Sequence, residues 1–309
     1  MNRLISFMHE HGALGIDDIK AMKLHVFKIR CGNQFFALKA YSNPAKLEQQ
    51  HLFFKEWEAS SSYGAAPIAF PNGLRYVEDG KDHWGLFEWI DGEALNFRYK
   101  RDRQEALKFL YAFHTSCRGT TKPIIQRSPL YIKFERRAEV FNDTRPLFRN
   151  LGREHLYEDI AEVCDITLRA FRNENWKGIH EKAHTEKSWI HGDVAHHNFI
   201  RTDTGEIKLI DFDLLQMGPE VYEFIQLGQR YLHHIDHSWS KLTSLFRDVP
   251  NKKQWLKGLL VPSDFMREWI HLTRRFKDDY RRMDAELVEY EQMWQERKRF
   301  VEKVLDMLS

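Results

Sequence analysis

The chain has 309 residues, room for one large domain or two lobes at about 150 residues per domain. Apolar residues make up 42% and charged residues 30%, with 16 glycines and 9 prolines, which excludes a disordered or collagen-like chain. Forty-seven Lys and Arg against 45 Asp and Glu leave a net charge of +2, so overall charge makes no case for a nucleic-acid or acidic-membrane partner.

Residues 1–14 carry Arg3, Glu10 and two histidines and lack the apolar run of a signal peptide. No stretch approaches the roughly 18 apolar residues that a membrane-spanning helix needs. His25 to Arg30 and Gln34 to Ala40 read as strands around a turn at Gly32-Asn33. Pro44 opens a helix in which Leu47, Gln50, Phe53, Phe54 and Trp57 share one face by three- and four-residue steps; the serines at 60–62 and Gly64 end it. Arg75 to Glu78 and His83 to Trp89 read as a hairpin around Asp79-Gly80. The first lobe, residues 1–91, thus runs strand, strand, helix, strand, strand.

Beyond Asp91-Gly92 the remaining residues, 92–309, are mostly helical. Gln104 to His114 puts Ala106, Leu107, Leu110 and Phe113 on one side, and Tyr157 to Phe171 is a second helix. Strand signals return between Trp189 and Phe212. From Asp264 to Leu308 the basic runs Arg274-Arg275, Arg281-Arg282 and Arg297-Lys298-Arg299 are interleaved with Asp278, Asp279, Glu286, Glu289 and Glu291, the pattern of a solvated helix rather than a nucleic-acid face. Cys31, Cys117 and Cys164 lie far apart with no CxxC, which argues against a zinc cage or disulfide framework and for a reducing cytoplasm.

The sharpest signal is His191-Gly192-Asp193-Val194-Ala195-His196-His197-Asn198, followed across the turn Asp203-Thr204-Gly205 by Ile207-Lys208-Leu209-Ile210-Asp211-Phe212-Asp213. Kinases have a catalytic-loop Asp, an Asn five residues on, a hairpin, and then a metal-binding Asp. Asp193, Asn198 and Asp211 repeat that order and spacing. A hairpin folds Asp211 back beside Asn198, so that one carboxylate and one amide oxygen can hold Mg2+, a hard ion that takes oxygen ligands. Asp193, on the loop, is left to orient and deprotonate an acceptor hydroxyl. The adjacent His196 and His197 point apart and have no nearby Cys or Glu, so they read as loop residues lining or supporting an acceptor pocket rather than as a metal site.

HGDVAHHNF followed by IKLIDFD resembles the aminoglycoside phosphotransferase and choline kinase-like superfamily, and within it the bacterial branch of spore-coat-associated kinase-like proteins. The resemblance runs from about Arg30 to Leu232. It implies an α+β, protein-kinase-like bilobal fold, with a small β-rich, nucleotide-binding lobe at 1–91 and a larger helical lobe at 92–309 that carries the catalytic loop and the acceptor site. It implies ATP- and Mg2+-dependent transfer of a phosphoryl group to a small-molecule hydroxyl in the cytoplasm, or in association with the spore. Lys39, at the end of Phe35-Phe36-Ala37-Leu38-Lys39, matches the strand lysine that steadies nucleotide phosphates. Its helix partner by local pattern is Glu48, with Glu56 second, while the position in phase with the helix face is Gln50. Leu86 to Gly92 resembles the hinge, where the backbone of Glu88 and Ile90 would bond adenine and Phe87 would lie beside it.

The poor phosphate loop and the lack of a helix glutamate in phase with the face toward Lys39 support a rival reading, a non-catalytic kinase-like structural or coat protein. Ala21-Met22-Lys23-Leu24-His25 has no glycine whose backbone could cradle phosphates. Where the family has an Asp after the metal-binding segment, this chain has Glu223.

Overall fold

The computed structural model describes residues 2–120, 122–126, 128–277 and 279–308. They form two compact units, one of residues 1–126 with 183–218 and the other of residues 127–182 with 219–309.

The first unit begins with helix α1 (Asn2–Gly12) and strands β1 (Asp18–Lys23), β2 (Val26–Cys31) and β3 (Gln34–Tyr41). Helix α2 (Ala45–Glu56), a single turn α3 (Ser60–Tyr63), and strands β4 (Pro67–Ile68), β5 (Val77–Glu78) and β6 (His83–Glu88) follow. The sheet order is β1-β2-β3-β6-β4, with β5 also on β6. Its β2–β3 hairpin turns at Gly32-Asn33 as its sequence predicts, with Gly32 at φ 60°, the left-handed region that glycine enters without cost. β1 and α1 carry no such signature. Only Ile19 of β1 is buried, so this edge strand has none of the alternation that marks a half-buried one.

Alternation along β3 builds two layers. Leu38 enters a core with Met8 of α1, Ile29, Phe70 and Leu86. Ala37 and Tyr41 turn to the opposite face, against Leu47 of α2 and Phe87. Each such large side chain contributes about 1.5–3 kcal/mol on burial. Gly85 on β6 lies opposite Lys39, and a Cβ there would come within 2.4 Å of the Leu47 side chain. Glycine therefore lets α2 pack directly onto the sheet.

After β7 (Glu93–Ala94) and α4 (Lys100–Ser116), the chain passes through the second unit's α5 (Leu130–Asn142), α6 (Arg145–Asn150) and α7 (Glu154–Arg172) and along α8 (Trp176–Thr185). It re-enters the first unit with β8 (Trp189–Ile190), β9 (Phe199–Arg201), β10 (Ile207–Leu209) and β11 (Gln216–Met217). β9 and β10 form an antiparallel hairpin with β7 on its edge, and β11 pairs with β8.

The second unit is helical. It ends with α9 (Val221–Leu232), α10 (Trp239–Leu245), α11 (Lys252–Leu260), α12 (Ser263–Arg275) and α13 (Tyr280–Leu308). Trp255, Trp269 and Trp294 are fully buried. α9 and α11 approach through Gly258, where a Cβ would meet Ile225 at 2.5 Å. Glu223, in the first turn of α9, is fully buried. Among the described residues, no helix is long and apolar enough to cross a membrane.

Candidate active site

The loop between β8 and β9 is held by its own side chains. The His191 ring is completely buried. Its Nδ1 accepts from the Asp193 N–H at 3.3 Å and its Nε2 donates to the Ile210 carbonyl at 2.9 Å, which clamps the loop to the end of the β9–β10 hairpin. Gly192 sits at φ 88°, and a Cβ there would fall 2.4 Å from the Leu214 carbonyl oxygen. Only glycine fits between this histidine and Asp193.

Asn198 closes the loop. Its Nδ2 donates to the Asp193 carbonyl at 2.9 Å, and its own carbonyl accepts from the Ile210 N–H at 3.0 Å. One residue later Asp211 adopts φ 68°, ψ 59°, a left-handed conformation that Asp tolerates better than most side chains. Phe212 then turns inward, 2% exposed, against His191 at 4.7 Å and Phe54 at 4.9 Å.

Asp211 and Asp213 both meet Lys39. The Lys39 Nζ donates to Asp211 at 2.7 Å and to Asp213 at 3.4 Å, and Tyr41, two residues along the same face of β3, donates its hydroxyl to Asp213 at 2.6 Å. Burial by itself would lower the Lys39 ammonium, but Asp213 and Asp211 outweigh it and hold it above its ordinary value. Burial would likewise raise Asp211, and Lys39 reverses this and holds its carboxyl below the usual range. Burial, then Asp213, push the Tyr41 phenol well up.

Three of these groups lie on a cavity of about 500 Å3. Lys39, Asn198, Asp211 and Asp213 line it, with His197 beside them, while Val26, Ala37, Phe87, Ile200 and Ile210 supply apolar wall. Asp193 is tied to this cavity through Asn198. Phe87 is 4% exposed, with its ring 5.4 Å from the Lys39 Nζ. Glu88 uses its N–H on the Ala66 carbonyl and its carboxylate on the Ala66 N–H, both at 3.0 Å. Ile90 lines the cavity, and among the described residues its N–H meets no acceptor.

Glu48 does not come to Lys39. It faces Arg75 at 3.9 Å with 40% of its side chain exposed, because the buried stripe of α2 runs through Leu47, Gln50 and Phe53. Glu56 is exposed at the end of α2. Gln50, 2% exposed, lines the cavity and donates its side-chain amide to the Lys46 carbonyl at 3.3 Å. Sequence reasoning passed over Tyr41, Asp213 and the His191 clamp. The two-residue spacings Lys39–Tyr41 and Asp211–Asp213 were the available signal.

The donors suit a hard cation. With its amide nitrogen committed to Asp193, Asn198 has its oxygen left, and Asp211 adds a carboxylate on the same cavity. Among the described residues, no group of three or more His, Cys, Asp and Glu is placed to hold a metal ion. Two protein ligands, with phosphate oxygens and water for the remainder, is the usual manner of magnesium.

A model described as the phosphotransferase enzyme family matches residues 26–241, more than two thirds of the chain. Solved structures share the fold. An aminoglycoside phosphotransferase from Alicyclobacillus acidocaldarius is 18% identical over 94% of this chain and 92% of its own, with a TM-score of 0.70. A spectinomycin phosphotransferase, solved with ADP and spectinomycin, is 12% identical over 96% and 93%, with a TM-score of 0.56. A choline kinase from Streptococcus pneumoniae is 11% identical over 99% and 97%, with a TM-score of 0.52. The α+β, kinase-like architecture expected from the sequence, with a β-sheet N-terminal region and a helical C-terminal region, is the one observed.

Proposed function

This chain belongs to the phosphotransferase enzyme family, and from that membership we propose that it transfers the terminal phosphoryl group of ATP to a hydroxyl of a small molecule. The observation that carries the proposal is the meeting of Lys39, Asn198 and Asp211 on one cavity whose lining also includes the apolar Val26, Ala37, Phe87, Ile200 and Ile210. Phosphoryl transfer asks little covalent chemistry of a protein; it needs in-line positioning and charge stabilisation. Lys39 supplies a fixed positive charge for phosphate oxygens. Asp193, held by Asn198 and His191, orients the acceptor hydroxyl and takes its proton. Ile90 offers its N–H to an adenine edge, and Phe87, Val26 and Ala37 supply the apolar surface for the ring. Magnesium, when bound, neutralises phosphate charge, and Asn198 and Asp211 are the residues that would hold it.

In this reading nucleotide binding belongs to the sheet of residues 1–91 and acceptor recognition to the helical residues beyond 92. The acceptor class follows the proteins of the same fold, an aminoglycoside phosphotransferase, a spectinomycin phosphotransferase and a choline kinase. Purified protein should consume ATP in the presence of one member of a panel of amino alcohols, sugars and aminoglycosides, and Asp193→Asn should abolish that turnover. Consumption by wild type and variant alike would remove Asp193 from the reaction. The rival, a non-catalytic kinase-like structural or coat protein, draws on the glycine-free turn at Leu24-His25 between β1 and β2; it predicts no turnover for any acceptor.

A further inference from the structure

Lys39 is an ammonium with 13% of its side chain exposed, and a buried charge needs a counter-charge nearby. The helix beside it provides none, since Glu48 is with Arg75 and the inward position is the neutral Gln50. Its two carboxylates come from the turn after β10 instead. If Asp211 serves magnesium, its hold on Lys39 is shared with a competing cation, and Asp213 is the carboxylate left to steady the ammonium. Asp213 is itself held in place. The Tyr41 hydroxyl donates to it at 2.6 Å, so a line of contacts runs from β3 through Tyr41 to Asp213 and on to Lys39. Tyr41 is 5% exposed and packed with Ala37, Leu47 and Phe87, which leaves its hydroxyl little freedom.

We propose that Asp213, oriented by Tyr41, is the positioning residue for Lys39, doing from the hairpin end what a helix glutamate does in other kinase-like folds. The assignment rests on the nucleotide reading given above. Without Asp213 the ammonium has only Asp211 and is drawn away from the phosphates. A carboxylate on α2 at position 50, where the side chain already lines the same cavity as Lys39, would take over.

The test is ADP affinity by isothermal titration in EDTA, which needs neither acceptor nor metal, with adenosine as the phosphate-free control. Asp213→Asn should weaken ADP by about tenfold, the scale of one charge-assisted hydrogen bond, and leave adenosine unchanged. Tyr41→Phe should move ADP affinity the same way by a smaller factor. The double variant Asp213→Asn with Gln50→Glu should recover most of the loss. Unchanged or tighter ADP binding by Asp213→Asn, a loss that appears only with magnesium and is reversed by more of it, or no recovery by Gln50→Glu would each overturn the assignment. Thermal melts check folding, and if Asp213→Asn does not fold, Tyr41→Phe, which keeps the buried ring, decides the matter on ADP alone. Wild-type protein that binds no adenine nucleotide would instead sink the nucleotide reading itself.

Discussion

Asn198 donates its side-chain amide to the main-chain carbonyl of Asp193 at 2.9 Å, so one of the two residues assigned to the metal also fixes the residue assigned to the acceptor. Asp193→Asn keeps this main-chain contact while removing the base. It should lower turnover by about 10² to 10⁴ and leave ATP affinity within a few-fold, since Asp193 faces the acceptor in this reading. Product formation and ATP titration on the two proteins measure both quantities.

Gly192→Ala should destabilise the fold, because the added Cβ would meet the Leu214 carbonyl at 2.4 Å in a backbone already at φ 88°. The cost should exceed about 1 kcal/mol, the gain that Gly→Ala brings where the backbone allows it. Urea unfolding shows it as a lower midpoint at unchanged slope. Gly205→Ala, also at positive φ but with nothing near its Cβ, separates steric from conformational cost and should lose less.

Ile90→Pro should lose adenine-nucleotide binding, since proline has no N–H. Glu88→Ala should bind nucleotide nearly as the parent does while unfolding at a lower temperature, because its carboxylate caps the Ala66 N–H at 3.0 Å. Equal nucleotide affinity in the two variants would place adenine elsewhere.

The Lys39–Asp211 pair predicts a pH dependence. Asp211 is held below its ordinary range, so its stabilising effect is complete above the unfolded value of about 3.9 and is lost as pH falls through the lower folded value. Lys39 is held above its ordinary value. Its contribution is complete below about 10.4 and is lost as pH rises through the higher folded value. The stability difference between wild type and Lys39→Met, from urea unfolding, should be level near neutral pH and shift at both extremes. A difference that does not change with pH would mean that the pair contributes nothing through its charge.

What could be read in advance follows the range of each interaction. The Asp193–Asn198–Asp211 arrangement is set by a short loop and one hairpin, so its spacing is written locally, and the same holds for the β2–β3 turn at Gly32-Asn33. The partners of Lys39 are 172 and 174 positions away, and nothing near Lys39 announces them. Glu48 matched the local pattern, but helical phase carried it to Arg75. β1 escaped notice because only one of its six side chains is buried.

The central claim, that this cavity takes ATP through magnesium on Asn198 and Asp211, is tested most directly by thermal melts with ATP alone and with ATP and magnesium. Ligand at 100 times its dissociation constant adds about 2.7 kcal/mol of stability, a shift that a melt resolves. The account predicts a larger shift with magnesium than without, and loss of that extra part in Asp211→Ala. No shift with either ligand, or a magnesium-dependent shift that survives Asp211→Ala, would contradict it.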